Sequence, residues 1–150
     1  MTLRISTILI LAILRVAGSS CASAQELYAV PERERKNPVA SSIFTDLQSG
    51  ILAGDVAAFS DRLAKQVYLN LSDRESGFFS QNQALYILKD YFKTRRILSF
   101  KFTTISQVEG TPFATGGGTY LRRGNPEILQ VYVALKKSGD GWVISQFSVF

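Results

Sequence analysis

Near neutral pH the acid–base chemistry open to this chain rests on its carboxylates. Histidine is absent, and there is a single cysteine, Cys21. A carboxylate becomes a general acid or base when an apolar pocket and a hydrogen-bond partner tune its pKa. The sequence offers no such setting. Asp46, Asp61 and Asp90 fall on the polar faces of predicted helices, and Asp55 stands at a helix start. Asp73, Glu75, Glu109 and Asp140 lie in predicted turns, and Glu127 follows Pro126 at a strand start. None has apolar neighbours on both sides, so no catalytic residue is expected.

Metal and phosphate chemistry find equally little support. Without histidine, and with Cys21 expected to be removed, only clustered oxygen ligands could hold a metal, and no D-x-D-x-D-G loop is present. Gly116-Gly117-Gly118 lacks the lysine and following helix of a phosphate loop, since Thr119-Tyr120-Leu121 continues as strand. A glycine run in that setting predicts a bulge or bend that lets a sheet curl. No metal and no cofactor are therefore expected. The basic pairs Arg95-Arg96, Arg122-Arg123 and Lys136-Lys137 each stand beside a predicted element end. They read as solvated termini, with Arg95-Arg96 favoured by a helix dipole. A nucleic-acid groove would instead need a basic stripe interleaved with exposed aromatics.

The start of the chain has the grammar of a secretory signal peptide. Met1–Arg4 carries one positive charge, 5–14 is a largely apolar run, and Ala22-Ser23-Ala24 precedes Gln25. Ten apolar residues are too few to span a bilayer, which takes roughly 20. Cleavage after Ala24 would remove Cys21, Arg4 and Arg15, leaving a chain without cysteine and a formal charge lowered from +5 to +3. The alternative is a lipoprotein anchored at Cys21, against which Gly18-Ser19-Ser20 lacks the large aliphatic residue usual before a lipidated cysteine. Export to the periplasm or cell exterior is expected, with no transmembrane segment after cleavage. Residues 25–37 follow as a flexible charged leader, and 38–150 as one domain.

Two periodicities divide that domain. Apolar residues recur every three to four positions up to Leu63, and every two from Ile97 onward. Asn37-Pro38 opens a first helix, with Val39, Ile43, Phe44, Leu47 and Ile51 as its buried stripe and Gly50 and Gly54 at its exit. Asp55 caps a second helix whose Val56, Phe59 and Leu63 face inward. Residues 66–71 alternate as a strand, and Ser80-Gln81-Asn82-Gln83 is a capping box that opens a third helix. Strands follow at 97–108, 113–122, 128–136 and 142–149. The order α-α-β-α-β-β-β-β predicts an α+β domain, helices on a strongly curved antiparallel sheet.

Phenylalanine, tyrosine and tryptophan make up 11% of the chain, more than a small core needs. Most belong inside. If the domain keeps a cavity, Phe100, Phe102, Tyr91 and Tyr120 are the candidates to line it for a small apolar ligand. Tyr68, Gln130 and Tyr132 share faces with polar residues and fit the outer surface of the sheet, a candidate homodimer interface.

Three segments carry a resemblance to a known family. They are Gly54-Asp55-Val56 with Phe59, Leu63 and the strand 67–71; Phe79-Ser80-x-x-Gln83-Ala84-x-x-Ile87-Leu88-x-x-Tyr91-Phe92; and Gly141-Trp142-Val143-Ile144 with Phe147 and Val149. With the elements they bracket, they resemble the nuclear transport factor two-like superfamily, an α+β cone, and within it small exported bacterial proteins of unknown function. The resemblance implies a cone and licenses no activity, because the superfamily holds both enzymes and noncatalytic binding modules. The expected function is a noncatalytic exported module that binds a small apolar ligand or a protein partner. Two alternatives are a small lyase or isomerase using a buried carboxylate and a tyrosine, and a structural dimer or assembly unit. Intact-mass measurement of the exported protein should give a chain beginning at Gln25; a diacylglycerol adduct on Cys21 would show the lipoprotein instead.

Overall fold

A computed structural model describes residues 38–74, 76–107 and 110–150. They all fall within one compact unit, Arg33–Phe150. The proposed signal peptide, the leader, Asn37, Glu75 and Glu109 lie outside the described residues. The elements are α1 (Pro38–Ala53), α2 (Ala57–Ser60), β1 (Leu63–Leu71), β2 (Gly77–Ser80), α3 (Gln81–Lys93), β3 (Arg96–Ser106), β4 (Phe113–Arg122), β5 (Asn125–Ser138) and β6 (Gly141–Val149). The six strands form one sheet in the order β2-β1-β6-β5-β4-β3. The α+β class and the helices-then-sheet order are as the sequence predicts.

Three details differ from the sequence reading. A short strand, β2, precedes α3 and pairs antiparallel with β1. Four residues are too few to show a period. The sheet is mixed, because β1 runs parallel to β6 while the other pairs are antiparallel. Such a pairing joins the first long strand to the last and leaves no local signal. Leu63 opens β1 rather than ending α2, although it is buried as expected.

The helices cover one face of the sheet. Ile43, Phe44, Leu47 and Ile51 of α1 are completely buried, whereas Val39 is 47% exposed and Ala40 takes the inward position at the helix start. In α3, Ala84, Leu88, Tyr91 and Phe92 point inward. This helix begins with the predicted capping box: the Ser80 hydroxyl accepts from the Gln83 N–H while the Gln83 side chain accepts from the Ser80 N–H. Asp55 accepts from the Ala57 N–H at 2.9 Å, although the N-cap of α2 is Val56 rather than the predicted Asp55. Opposite the helices, Leu129, Val131 and Val133 of β5 and Ile144, Phe147 and Val149 of β6 complete the core.

The glycine run of β4 pairs with a stretch of β3 whose backbone occupies the space a Cβ would need. Gly116 pairs with Phe102 and Gly118 with Phe100, and the β3 register shifts on both sides of this pair. A Cβ on Gly118 would run into the Ser99 carbonyl, and one on Gly116 into the Lys101 carbonyl. Gly117 faces the other way, and its nearest neighbour would be Leu129 O at 3.3 Å. Where the sequence predicts a bulge or bend, the irregularity lies in the register of β3 and the glycines admit its backbone. Gly118→Ala should cost about 3 kcal/mol, the upper end of overpacking. Gly117→Ala should cost far less. Urea denaturation of the two variants distinguishes them.

Candidate functional site

Three turns bring charged side chains together around the end of α3. The β1–β2 turn supplies Asp73 and Arg74, the residues after α3 supply Thr94 and Arg95, and the β4–β5 turn supplies Arg122 and Arg123. Together they wall a cleft of about 380 Å³ in which four arginines meet one aspartate. Two of the turns hold a non-glycine residue in the left-handed region, Asp73 at φ 69° and Arg123 at φ 51°. Aspartate tolerates that region comparatively well. Arg123-Gly124, both at positive φ between the paired Arg122 and Asn125, is a two-residue hairpin of the kind that favours asparagine or aspartate in its first position.

Arg95 is the centre of the cluster and is only 6% exposed. Its guanidinium lies 3.7 Å from the Tyr91 ring centroid and 5.8 Å from that of Tyr120. Stacking on a desolvated ring contributes about 2 kcal/mol. Nη1 donates to the Tyr91 carbonyl at 3.0 Å and to Thr94 Oγ1 at 3.3 Å, closing the end of α3. Nη2 stands 3.5 Å from Asp73 Oδ2. The Nε–H is buried without a hydrogen-bond partner. The sequence reading of Arg95 as a solvated terminus is therefore corrected: the helix-end placement holds, but the side chain turns inward.

The same Asp73 oxygen accepts from Arg122 Nη1 at 2.6 Å. Arg122 also lies 3.8 Å from Glu127, and Arg74 pairs with Asp90 at 2.6 Å. Arg123 makes no ion pair among the described residues. The Tyr120 hydroxyl donates to Glu127 at 2.5 Å. Burial, then this hydrogen bond, pushes the Tyr120 phenol above its ordinary 10.0. The Asp73 and Arg122 charges and their hydrogen bond likewise hold the exposed Arg122 more firmly protonated.

The predicted site residues divide into two groups and a remainder. Tyr91 and Tyr120, candidates for lining a cavity, come together around Arg95. Phe100 and Phe102 lie elsewhere, packed edge to face at 5.0 Å, with Phe102 against Phe44 of α1. Gln130 and Tyr132 lie on the outer face of the sheet and line a second groove of about 460 Å³ with Thr115, Gly117 and Phe150. Tyr132 stacks on Phe113 at 5.8 Å, and Tyr68 meets Phe78 at 5.2 Å on the same face of β1. Sequence reasoning missed Asp73, Arg74, Thr94, Arg95, Arg122 and Arg123 as one cluster. The available signal was that three predicted turns each carry an arginine.

The match to a family model is the deciding observation: the domain of unknown function DUF4783 covers residues 44–149. The chain belongs to that family. Among solved structures, it is similar to a DUF4783 family protein from Bacteroides ovatus at 17% identity, with a TM-score of 0.59 over 69% of this chain and 90% of the other. A ketosteroid isomerase-like protein from Erwinia carotovora shares 15% identity, with a TM-score of 0.63 over 75% and 92% of the two chains. An NTF-2 like protein of unknown function from Shewanella oneidensis shares 14% identity, with a TM-score of 0.54 over 75% and 96%. No curated protein matches the chain. The fold of this DUF4783 member is therefore nuclear transport factor two-like, as its resemblance implies.

Ultraviolet titration of Tyr120, resolved by comparison with Tyr120→Phe, should place its ionisation above the ordinary tyrosine value. Glu127→Gln should lower it without restoring it fully, because burial is the larger cause. A raised folded-state pKa contributes stability that is present below the unfolded value of 10.0 and lost as pH rises through the raised value.

Proposed function

We propose that this DUF4783 domain is a noncatalytic, exported binding module whose ligand site is the arginine-walled cleft. The observation that carries the reading is Arg95. Its guanidinium is held by Tyr91 and Thr94, is almost fully desolvated, and still lacks a partner for Nε. A buried ion pair is often no more stabilising than well-packed apolar side chains of the same volume, so stability alone is a weak reason for one here. A preorganised charge at the wall of a cleft suits binding. The wall is charged, so the ligand it suits is polar rather than the apolar one that the aromatic content suggests.

The pairing of Tyr120 with Glu127 is what an acid–base reading would use. Glu127 has a side-chain exposure of 39%, and Tyr120 is held in its protonated form. A phenol kept protonated orients a ligand rather than abstracting a proton. The other described carboxylates, Asp46, Asp55, Asp61, Asp73, Asp90 and Asp140, are all exposed. They leave the lyase or isomerase reading without a buried base among the described residues.

A second reading, self-association through the outer sheet face, is favoured by the uncharged groove at Gln130, Tyr132 and Phe150. Phe78, Ile128 and Phe150 lie exposed on strands or strand ends that bear this face. Native mass spectrometry of the exported chain tests both readings. The binding module should carry, or take up from a panel of small polar metabolites, a ligand that Arg95→Met abolishes. A chain that takes up none of them, or binds equally well after that change, would end the reading. A dimer lost in Tyr132→Glu would support self-association.

A further inference from the structure

We propose that the cleft takes a small dicarboxylate, one end of which replaces Asp73 between Arg95 and Arg122. This rests on the binding-module reading and names the ligand class of the same site. The chain itself displays the chemistry. A single oxygen of Asp73 is shared by the two guanidinium groups, at 2.6 Å from Arg122 and 3.5 Å from Arg95. Planar forks of this kind match a carboxylate. Asp73 thus occupies the anion position as an internal substitute.

The two sides of that contact differ in freedom. Arg95 is buried and fixed by the Tyr91 ring, the Tyr91 carbonyl and Thr94. The Asp73 side chain is 54% exposed and sits in a short turn with a left-handed backbone. Exchange of one carboxylate for another therefore falls to Asp73, while Arg95 stays in place. Its contact with Arg95 is long for a charge-assisted hydrogen bond, which leaves room for a better-placed oxygen.

Charge accounts for the second carboxylate. Arg74 is already matched by Asp90, and displacing Asp73 leaves Arg95 and Arg122 to the incoming group. Arg123, on the wall of the same cleft, has no ion pair among the described residues. A ligand with a carboxylate at each end satisfies Arg95 and Arg122 with one and Arg123 with the other. The cleft volume of about 380 Å³ is at the small-molecule end of binding sites.

The experiment is calorimetric titration of the full chain with succinate, acetate, succinamide and inorganic phosphate at low ionic strength. Succinate should bind, acetate more weakly, and neutral succinamide not at all. Asp73→Asn removes the internal competitor while keeping a residue that accepts positive φ. It should tighten succinate binding about tenfold, an exchange of about 1.4 kcal/mol. The same variant should melt at a lower temperature without ligand, because the buried guanidinium loses its counter-charge. Succinate should raise that melting temperature more than it raises the wild type's. Should Asp73→Asn fold poorly, Asp73→Gly also accepts the backbone and should show the same tightening.

Arg122→Gln should weaken succinate about tenfold. Arg123→Asn, which suits its turn, should reduce succinate to the affinity of acetate and leave acetate unchanged. Unchanged or weaker succinate binding in both Asp73 variants would overturn the proposal. So would equal binding of succinamide, or phosphate bound more tightly than succinate. A neutral ligand held in the cleft would end this inference and leave the binding module standing. No ligand of any kind would end both.

Discussion

A guanidinium taken out of water has to be matched by what surrounds it, and Arg95 sets that demand at the junction of α3 and β3. Burying an unmatched charge costs several kcal/mol. The surroundings supply the match from three separate parts of the chain. The end of α3 gives a ring face and a carbonyl, β4 gives a second tyrosine, and the β1–β2 turn gives a carboxylate. Ser72 beside that carboxylate also reaches the Tyr91 hydroxyl at 3.0 Å, so the turn is attached to the ring on which Arg95 lies. Loss of the guanidinium would loosen the helix end, the turn and the β4 tyrosine together.

The sheet obeys a different constraint, one of backbone proximity. Gly116 and Gly118 face the helices at positions where the β3 backbone leaves no space for a Cβ. Phe100 and Phe102, opposite them, have their rings meeting edge to face, and Phe102 also reaches Phe44. The missing side chains on β4 are thus offset by large ones on β3. At the other side of the core, Phe147 of β6 stacks on Phe59 at 6.1 Å and meets Phe92 edge to face at 6.4 Å. Aromatic volume from the edge strand β3 and the inner strand β6 fills the space under the helices.

What could be read from the sequence follows the range of the interaction. The Ser80–Gln83 capping box is local and appears where its residues predict. Asp55, by contrast, bonds the Ala57 N–H from one residue before the Val56 N-cap, and the glycine run faces a stretch of β3 flanked by two register shifts. The period of two from Ile97 onward is local too, so β3 to β6 were visible. Strand β2 was not, because Phe78 and Phe79 alone cannot show alternation. Val39 matched the α1 stripe by spacing yet lies exposed in the first turn, where Ala40 takes the inward position. The parallel pairing of β1 with β6 depends on residues from opposite ends of the domain. Arg95 was hidden for the same reason: its ring, its carboxylate and its second tyrosine belong to three elements. Arginine beside a helix end has a sufficient local explanation, and local reasoning stops there.

Fold and site meet at Arg95 and otherwise depend on different residues. The core is carried by aliphatic and aromatic side chains of helices and strands, and the described carboxylates are at its surface or rim. The charged cleft is carried by three links between elements, the least constrained parts of a packed domain. Arg123 illustrates the separation, for it occupies a turn position where asparagine or aspartate would serve the hairpin better. The hairpin gains nothing from the arginine, whereas the cleft gains a positive charge that has no ion pair among the described residues. A residue that is unfavourable for its own turn and useful to its neighbours is understood through the site rather than the fold. The same logic separates Arg95 from the apolar residues packed below it.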